Sequence, residues 1–220
     1  MNTTWISWCF EGMTPHQLGT VVPSIRSLGI SATFVLTRPD FLDQAAAWQG
    51  AIGDGHDVLN GALLEAADFD GQLPLWTPQM IRDDLLSTQD LMIELFGPQA
   101  LPIVCLPPGP PRCGPERSDY TPHLRSDFLG ARRADEGVNL LHSDSPHDLW
   151  SLQSRIWHAR TSLPAEPNTW TIFRVDATSE PSWPQLRAQL ETLPRTICSI
   201  SVSQALAQFG TPSPSRQSSE

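Results

Sequence analysis

The sequence predicts an α/β fold of mostly parallel strands, in a single domain over residues 1–209, and three observations lead there. Short β-branched and aromatic runs alternate with helical stripes along the chain. Glycine or proline punctuates most of the junctions between them. With 220 residues, 40 % hydrophobic and 17 % charged, the chain is too apolar to be disordered and long enough for one sizeable core. These patterns leave open whether the sheet closes into a barrel.

Thr4–Phe10 (TWISWCF) is rich in aromatic and β-branched residues and stops at Glu11-Gly12, which reads as a buried strand ending in a turn. Over Pro15–Leu28, residues Leu18, Val21, Val22, Ile25 and Leu28 form a helical stripe closed by Gly29. Ser31–Leu36 is the next strand. Phe41–Ile52 reads as a helix ended by Gly53 and Gly55, and His56–Leu59 as a short third strand. Pro78–Phe96 is the clearest helix: Thr77 caps it, Pro78 opens it, Ile81, Leu85, Leu86, Leu91, Ile93 and Leu95 form its core face, and Gly97 stops it.

Leu101–Leu106 is a fourth strand, and it runs into PPGPPRCGP. The prolines there forbid helix or central strand, and the glycines suggest close backbone approach. Further on, Phe128–Arg132, Val138–Leu141 and Thr169–Val175 read as strands, Trp183–Leu193 as a helix, Thr196–Ile200 as a strand and Val202–Phe209 as a closing helix. Residues 210–220, with Pro, Ser and Gln, are expected to be a disordered tail.

Composition removes several function classes. All fourteen basic residues are arginine, so mechanisms that need a lysine, such as a P-loop phosphate clamp or a pyridoxal Schiff base, are excluded. A net charge of -10 without basic clusters argues against nucleic acid. There is no signal-type leader and no apolar run near 18 residues, so no membrane partner is expected and the reading is cytoplasmic. Cys9, Cys105, Cys113 and Cys198 lie far apart and are expected as free thiols, with Cys9 and Cys198 acting as small buried hydrophobes.

In α/β folds of this kind the chemistry gathers at the C-terminal ends of the strands. That directs attention to Glu11, Asn60–Glu65, Cys105–Gly109 and Asp176. The segments around these positions resemble the NodB-homology polysaccharide deacetylases over most of residues 5–209. WCFEGM resembles that family's Thr-Phe-Asp-Asp-Gly segment, and LGISATFVL its Gly-Ile-x-Ala-Thr-Phe-Phe strand. GAIGDGHDVLNG resembles its Gly-His-Glu turn and Asn-His strand, WTPQMIRDDLLSTQDLMIELFG its long helix, and CLPPG its Arg-x-Pro-x-Gly loop. FLGARRA, TWTIFRVDA and SISVSQALAQFG resemble its closing part.

The resemblance implies a distorted (β/α)7 barrel and metal-dependent removal of acetyl groups from N-acetylated sugars. The family holds its metal, usually zinc, with one Asp and two His. An Asp base and a His acid complete the site: the metal acidifies a water, the base takes its proton and the acid protonates the leaving amine. Carried onto this sequence, the base falls on Phe10 and the metal aspartate on Glu11. The two metal histidines fall on Gly61 and Glu65, and the loop arginine on Cys105. The acid falls on Asp176, or on Val175 with a one-residue slip.

Ordinary zinc-dependent deacetylation is therefore not expected. Glu11, Glu65 and Asp176 remain as a candidate carboxylate cluster that would suit Mg²⁺, Mn²⁺ or Ca²⁺ better than zinc, unless Glu65 faces solvent. Glu11 and Asp176 are the candidate catalytic pair, a glycosidase-type pair included, with Glu11 and Glu65 the candidate metal ligands. Asn60, Trp76, Cys105, Pro107, Gly109 and Trp150 are the candidate substrate contacts, and the two indoles are suited to sugar rings. His56 reads as a structural histidine, the HSDSPHD segment (142–148) as a polar surface turn, and His16 as an exposed helix-start residue.

Two functions follow. The first is a deacetylase-like protein that has lost its metal ligands and catalytic pair and binds a saccharide or a protein partner. The second is a hydrolase of a C–N bond in a small amide or acetylated ligand, with a repurposed carboxylate or metal site.

Overall fold

The structure is a computed structural model; it describes residues 3–37, 39–53, 55–67, 72–140, 148–158, 160–164, 166–175 and 183–209. The expected tail, residues 210–220, lies outside this set, as do Asp176 and residues 142–147 of the HSDSPHD segment.

Eleven strands and six helices are described. They run β1 (Thr4–Glu11), α1 (Val22–Ser27), β2 (Thr33–Leu36), α2 (Ala45–Ile52), β3 (Asp57–Asn60), α3 (Leu63–Ala66), α4 (Pro78–Phe96) and β4 (Ala100–Cys105). Then come β5 (Arg112–Cys113), β6 (Ser118–Asp119), β7 (Gly130–Arg132), β8 (Asn139–Leu140), β9 (Ser154–Ile156), β10 (Thr169–Val175), α5 (Trp183–Glu191), β11 (Ile197–Ser199) and α6 (Val202–Phe209).

The main sheet has the order β7-β4-β3-β2-β1-β10-β8 and is parallel except for β8. β11 joins the first half of β1, at Thr4–Ile6, and β9 lies parallel on β10. The sheet curls until its far ends meet: Arg132 bridges to Leu152, the Arg133 N–H donates to the Leu152 carbonyl at 2.7 Å, and the chain then enters β9. This is the distorted (β/α)7 barrel that the sequence resemblance implied.

Alternation along the strands separates two cores. Cys9, Val35, Leu59, Ile103, Cys105 and Ile172 fill the barrel interior. Ile6, Trp8, Phe10, Phe34, Val58 and Phe173 face outward and pack under α1, α2, α4 and α5. A third cluster joins Val104, Leu106 and Ala131 to Ile81 and Leu85 of α4 and to the segment holding Cys113, Tyr120 and Phe128.

α6 plugs the N-terminal end of the barrel with Val202 and Ala205. Its first turn is held by Asp57, whose carboxylate accepts from the Ser203 N–H at 2.7 Å and from the Ser203 hydroxyl at 2.6 Å. At the same end His56 is buried, and its Nδ1 accepts from the Ala32 N–H at 3.1 Å. Burial and the positive charge of Arg26 lower its pKa to about 4, which keeps it a neutral hydrogen-bonding ring.

Departures from the expected elements have local causes. The first helix contains a π turn at Gln17–Val21, in which the Val22 N–H reaches back to Gln17 O; it sits just before Pro23, which has no N–H to continue the ladder. The second helix begins as a 3-10 turn at Pro39–Gln44, so its α-helical part is Ala45–Ile52 rather than Phe41–Ile52. The proline-rich loop leads into the β5–β6 hairpin, which the two-residue strands made illegible. Cys198, expected to be buried, is exposed, because β11 is short and pairs only with the start of β1.

Candidate functional site

The C-terminal ends of β1, β4, β7 and β10 meet at the barrel mouth. β1 ends at Glu11, whose carbonyl accepts from Gln17 Nε2 at 2.8 Å. The turn beyond is fixed by Gly12 (φ 108°), whose N–H donates to Val35 O at 2.9 Å, and by buried Met13 at φ 43°. A non-glycine residue in the left-handed region is costly, and this one sits two residues beyond Glu11, which enters the mouth.

Arg132, at the end of β7, crosses the interior. Its Nη2 donates to Glu11 Oε1 at 2.7 Å and its Nε to Cys105 Sγ at 3.2 Å, while Nη1 is enclosed without a hydrogen-bond partner. Arg132 is 1 % exposed and the Glu11 side chain 23 % exposed, so the pair is buried at one end and opens toward solvent at the other.

Arg174, inward on β10 and registered with Cys9, donates from Nη2 to Ala134 O at 2.9 Å, and its Nε is likewise enclosed and unpartnered. Burial and the neighbouring Arg132 charge lower its pKa. Below them the Cys9 and Cys105 thiols are pushed up by burial, against the pull of Arg132, so both stay protonated at neutral pH.

The residues present do not fit the family's zinc. Gly61, at the first histidine position, has no room for any side chain: a Cβ there would stand 2.4 Å from Val35 Cγ1 and 2.8 Å from Leu36 O. Glu65, at the second, is exposed on α3. Glu11 already faces a guanidinium. Among the described residues no three His, Cys, Asp or Glu side chains converge. The base position is turned away altogether, because Phe10 points outward and stacks on Phe34 at 5.5 Å, with Trp183 edge-on at 6.3 Å.

Several candidate contacts have structural duties. Asn60, expected at the substrate, is fully buried: its Nδ2 donates to Leu85 O of α4 at 2.9 Å and its Oδ1 accepts from the Ala62 N–H at 3.3 Å. Its amide is thus engaged within the fold. Cys105 and Pro107 are buried as well, whereas Gly109 (φ 80°) is partly exposed.

Trp76 and Trp150 are half-buried at the edge of the third cluster, with the Arg125 guanidinium 5.1 Å over the Trp150 ring. His16, expected to be exposed, is half-buried with its Nε2 enclosed. Asp148, the described end of HSDSPHD, accepts from the Trp150 N–H at 3.0 Å.

Arg132 is the residue that reading the strands in order missed. The one available signal was an arginine at the end of a strand in FLGARRA, in a chain whose metal histidines are absent.

No family model and no curated protein matches the sequence. Solved structures match the fold. A family 4 acetyl xylan esterase from Clostridium thermocellum, in complex with cobalt, superimposes with a TM-score of 0.60 at 14 % identity, over 94 % of this chain and 93 % of that one. A family 4 carbohydrate esterase from Bacillus anthracis gives 0.57 at 13 %, over 93 % and 83 %. A pseudoenzyme of the same esterase family from Bacillus anthracis gives 0.54 at 10 %, over 96 % and 68 %. The chain has the fold of the polysaccharide deacetylases, in a sequence far diverged from theirs.

Proposed function

We propose that this chain is a deacetylase-fold protein without the deacetylase reaction, which uses its barrel mouth to bind a saccharide. One observation carries the reading: the Arg132 guanidinium joins Glu11 to Cys105, the positions that the resemblance equates with the metal aspartate and the loop arginine. A fixed organic cation thus meets the carboxylate that would otherwise meet a metal ion. Phe10 and Gly61 support the same reading, since neither backbone position can present a functional side chain to the mouth.

A neighbour of this fold is itself described as a pseudoenzyme, so such losses occur on this scaffold. The half-exposed Trp76 and Trp150 suit a sugar ring, and the Arg125 guanidinium lies 5.1 Å over the Trp150 ring. Four free thiols, three of them buried, support a reducing, cytoplasmic setting.

The test has two arms. Acetate release from acetylated xylan and from N-acetylchito-oligosaccharides is measured with Zn²⁺, Co²⁺ and Mn²⁺ in turn, and no release above the uncatalysed rate is expected. Saccharide binding is followed by tryptophan fluorescence, where a saturable change is expected. Metal-dependent turnover lost in Glu11→Gln would overturn the reading.

A further inference from the structure

A cavity of about 550 Å³ lies beside β9, and none of Glu11, Cys105, Arg132 or Arg174 lines it. Arg155 and Ile156 come from β9 and Glu136 from the segment before β8; the rest of the lining is residues 158 and 160–164, which follow β9. That following segment is fixed by its own bonds. Trp157 is buried, its Nε1 donates to Gln189 Oε1 of α5 at 3.0 Å, and Gln189 Nε2 returns to the Thr161 carbonyl at 3.3 Å. The His158 N–H donates to Thr161 Oγ1 at 2.8 Å, the Thr161 N–H donates to His158 O at 2.7 Å, and Leu163 packs on the outer core. The fold itself holds this wall, so a ligand has little of it to order.

The charge of the cavity is opposite to that of the chain. In a protein of net charge -10, residues 149–164 hold Arg155, His158 and Arg160 and neither Asp nor Glu. The carboxylate in the lining, Glu136, is engaged: it meets Arg155 Nε at 3.6 Å and accepts from the Ile156 N–H at 3.1 Å, and its charge also acts on Arg174. Arg160 has no ion pair among the described residues. Two guanidinium groups and an imidazole therefore share one carboxylate. The remaining lining is of another kind, with Ile156, 40 % exposed, Leu163 and Pro164 giving an apolar surface and Thr161 and Ser162 giving hydroxyls. A bare inorganic anion would answer the charge and leave the apolar surface uncovered, whereas the volume is that of an ordinary small-molecule site.

We propose that the β9 cavity is a second ligand site, separate from the mouth, for an organic phosphate monoester: Arg155 and Arg160 take the phosphate, and Ile156, Leu163 and Pro164 take one face of a ring. Guanidinium forks match phosphate oxygens in pairs. A phosphate monoester brings nearly two negative charges to a lining with an unbalanced guanidinium, and His158 is a further donor beside it. The site does not depend on the saccharide reading, since it shares no lining residue with the barrel mouth.

Calorimetric titration of the full chain with adenosine monophosphate and with glucose 6-phosphate tests it. The two esters separate a nucleotide source from a sugar source, and adenosine, glucose and inorganic phosphate are titrated as their parts. At least one ester is expected to bind about tenfold more tightly than its neutral parent and than inorganic phosphate, and to weaken as salt rises. Arg160→Ala removes an exposed side chain and is expected to weaken the ester about tenfold at unchanged thermal stability. Glu136→Gln keeps an acceptor for the Ile156 N–H, removes the competing charge, and is expected to tighten the ester about threefold.

Ester binding indifferent to both Arg160→Ala and Glu136→Gln would overturn the site. Inorganic phosphate binding as tightly as the esters would overturn the organic-ligand assignment. Binding of neither ester would overturn the inference whole and leave the saccharide reading of the mouth standing.

Discussion

Arg132 Nη2 donates to Glu11 Oε1 at 2.7 Å, tying the end of β7 to the end of β1 across the barrel interior. The guanidinium is buried and the carboxylate is partly exposed, so removing the carboxylate strands a charge that cannot reach water. Glu11→Ala is expected to cost about 2–3 kcal/mol in urea denaturation, and Glu11→Gln less, about 1 kcal/mol, because the amide oxygen still accepts. In the pair of changes Glu11→Ala with Arg132→Met, the loss is expected to be smaller than the sum of the two single losses. Strict additivity would show that the two groups do not interact.

Gly61 excludes a side chain by sterics. Gly61→Ala is expected to destabilise by about 1–3 kcal/mol, because its Cβ would meet Val35 Cγ1 and the Leu36 carbonyl inside contact distance. Gly61→His is expected to be worse still and to acquire no zinc binding. A folded, zinc-binding Gly61→His protein would show that the β3 end has more room than its geometry gives.

His56 predicts a pH dependence. Its folded pKa, about 4, lies below the ordinary value of 6.5, so the unfolded chain binds more protons between these limits. The His56 contribution is complete above pH 6.5 and is lost as pH falls toward 4, by about 3 kcal/mol. Asp57 acts in the opposite sense, since burial raises its pKa and the folded form gains as it protonates. The His56 contribution is therefore read from the difference between wild type and His56→Gln across pH 4–7. A flat difference would contradict it.

Asn60 separates structural from ligand roles. Asn60→Ala leaves the Leu85 carbonyl without its donor and is expected to cost about 1–2 kcal/mol in thermal or urea unfolding. Saccharide affinity of the folded variant is expected to be unchanged, and a loss of binding at unchanged stability would restore Asn60 to the ligand.

Much of the fold was legible because its strongest signals are local. Thr77, Pro78 and Gly97 mark α4 at the residues where it starts and stops, and the apolar run of Thr169–Val175 matches β10, a strand buried along its length. β5, β6 and β9 escaped notice because two- and three-residue strands carry no period, and their pairing is set by partners far along the chain.

The site was legible mainly by what it lacks. Phe10, Gly61 and Cys105 stand where the resemblance places chemistry, which exposed the loss directly. The replacement was hidden, because Arg132 meets Glu11 across 121 residues and only the curl of the sheet brings them together. The engagement of Asn60 was hidden for a related reason: a strand-end position says which end of the barrel a residue occupies, but not that its amide bonds to α4.

The account turns on whether the mouth holds a guanidinium in place of a metal ion, and titration of Zn²⁺ into wild type and Glu11→Gln by calorimetry tests this directly. The account predicts no stoichiometric site whose affinity depends on Glu11. One zinc ion bound per chain in wild type, and lost in Glu11→Gln, would contradict it.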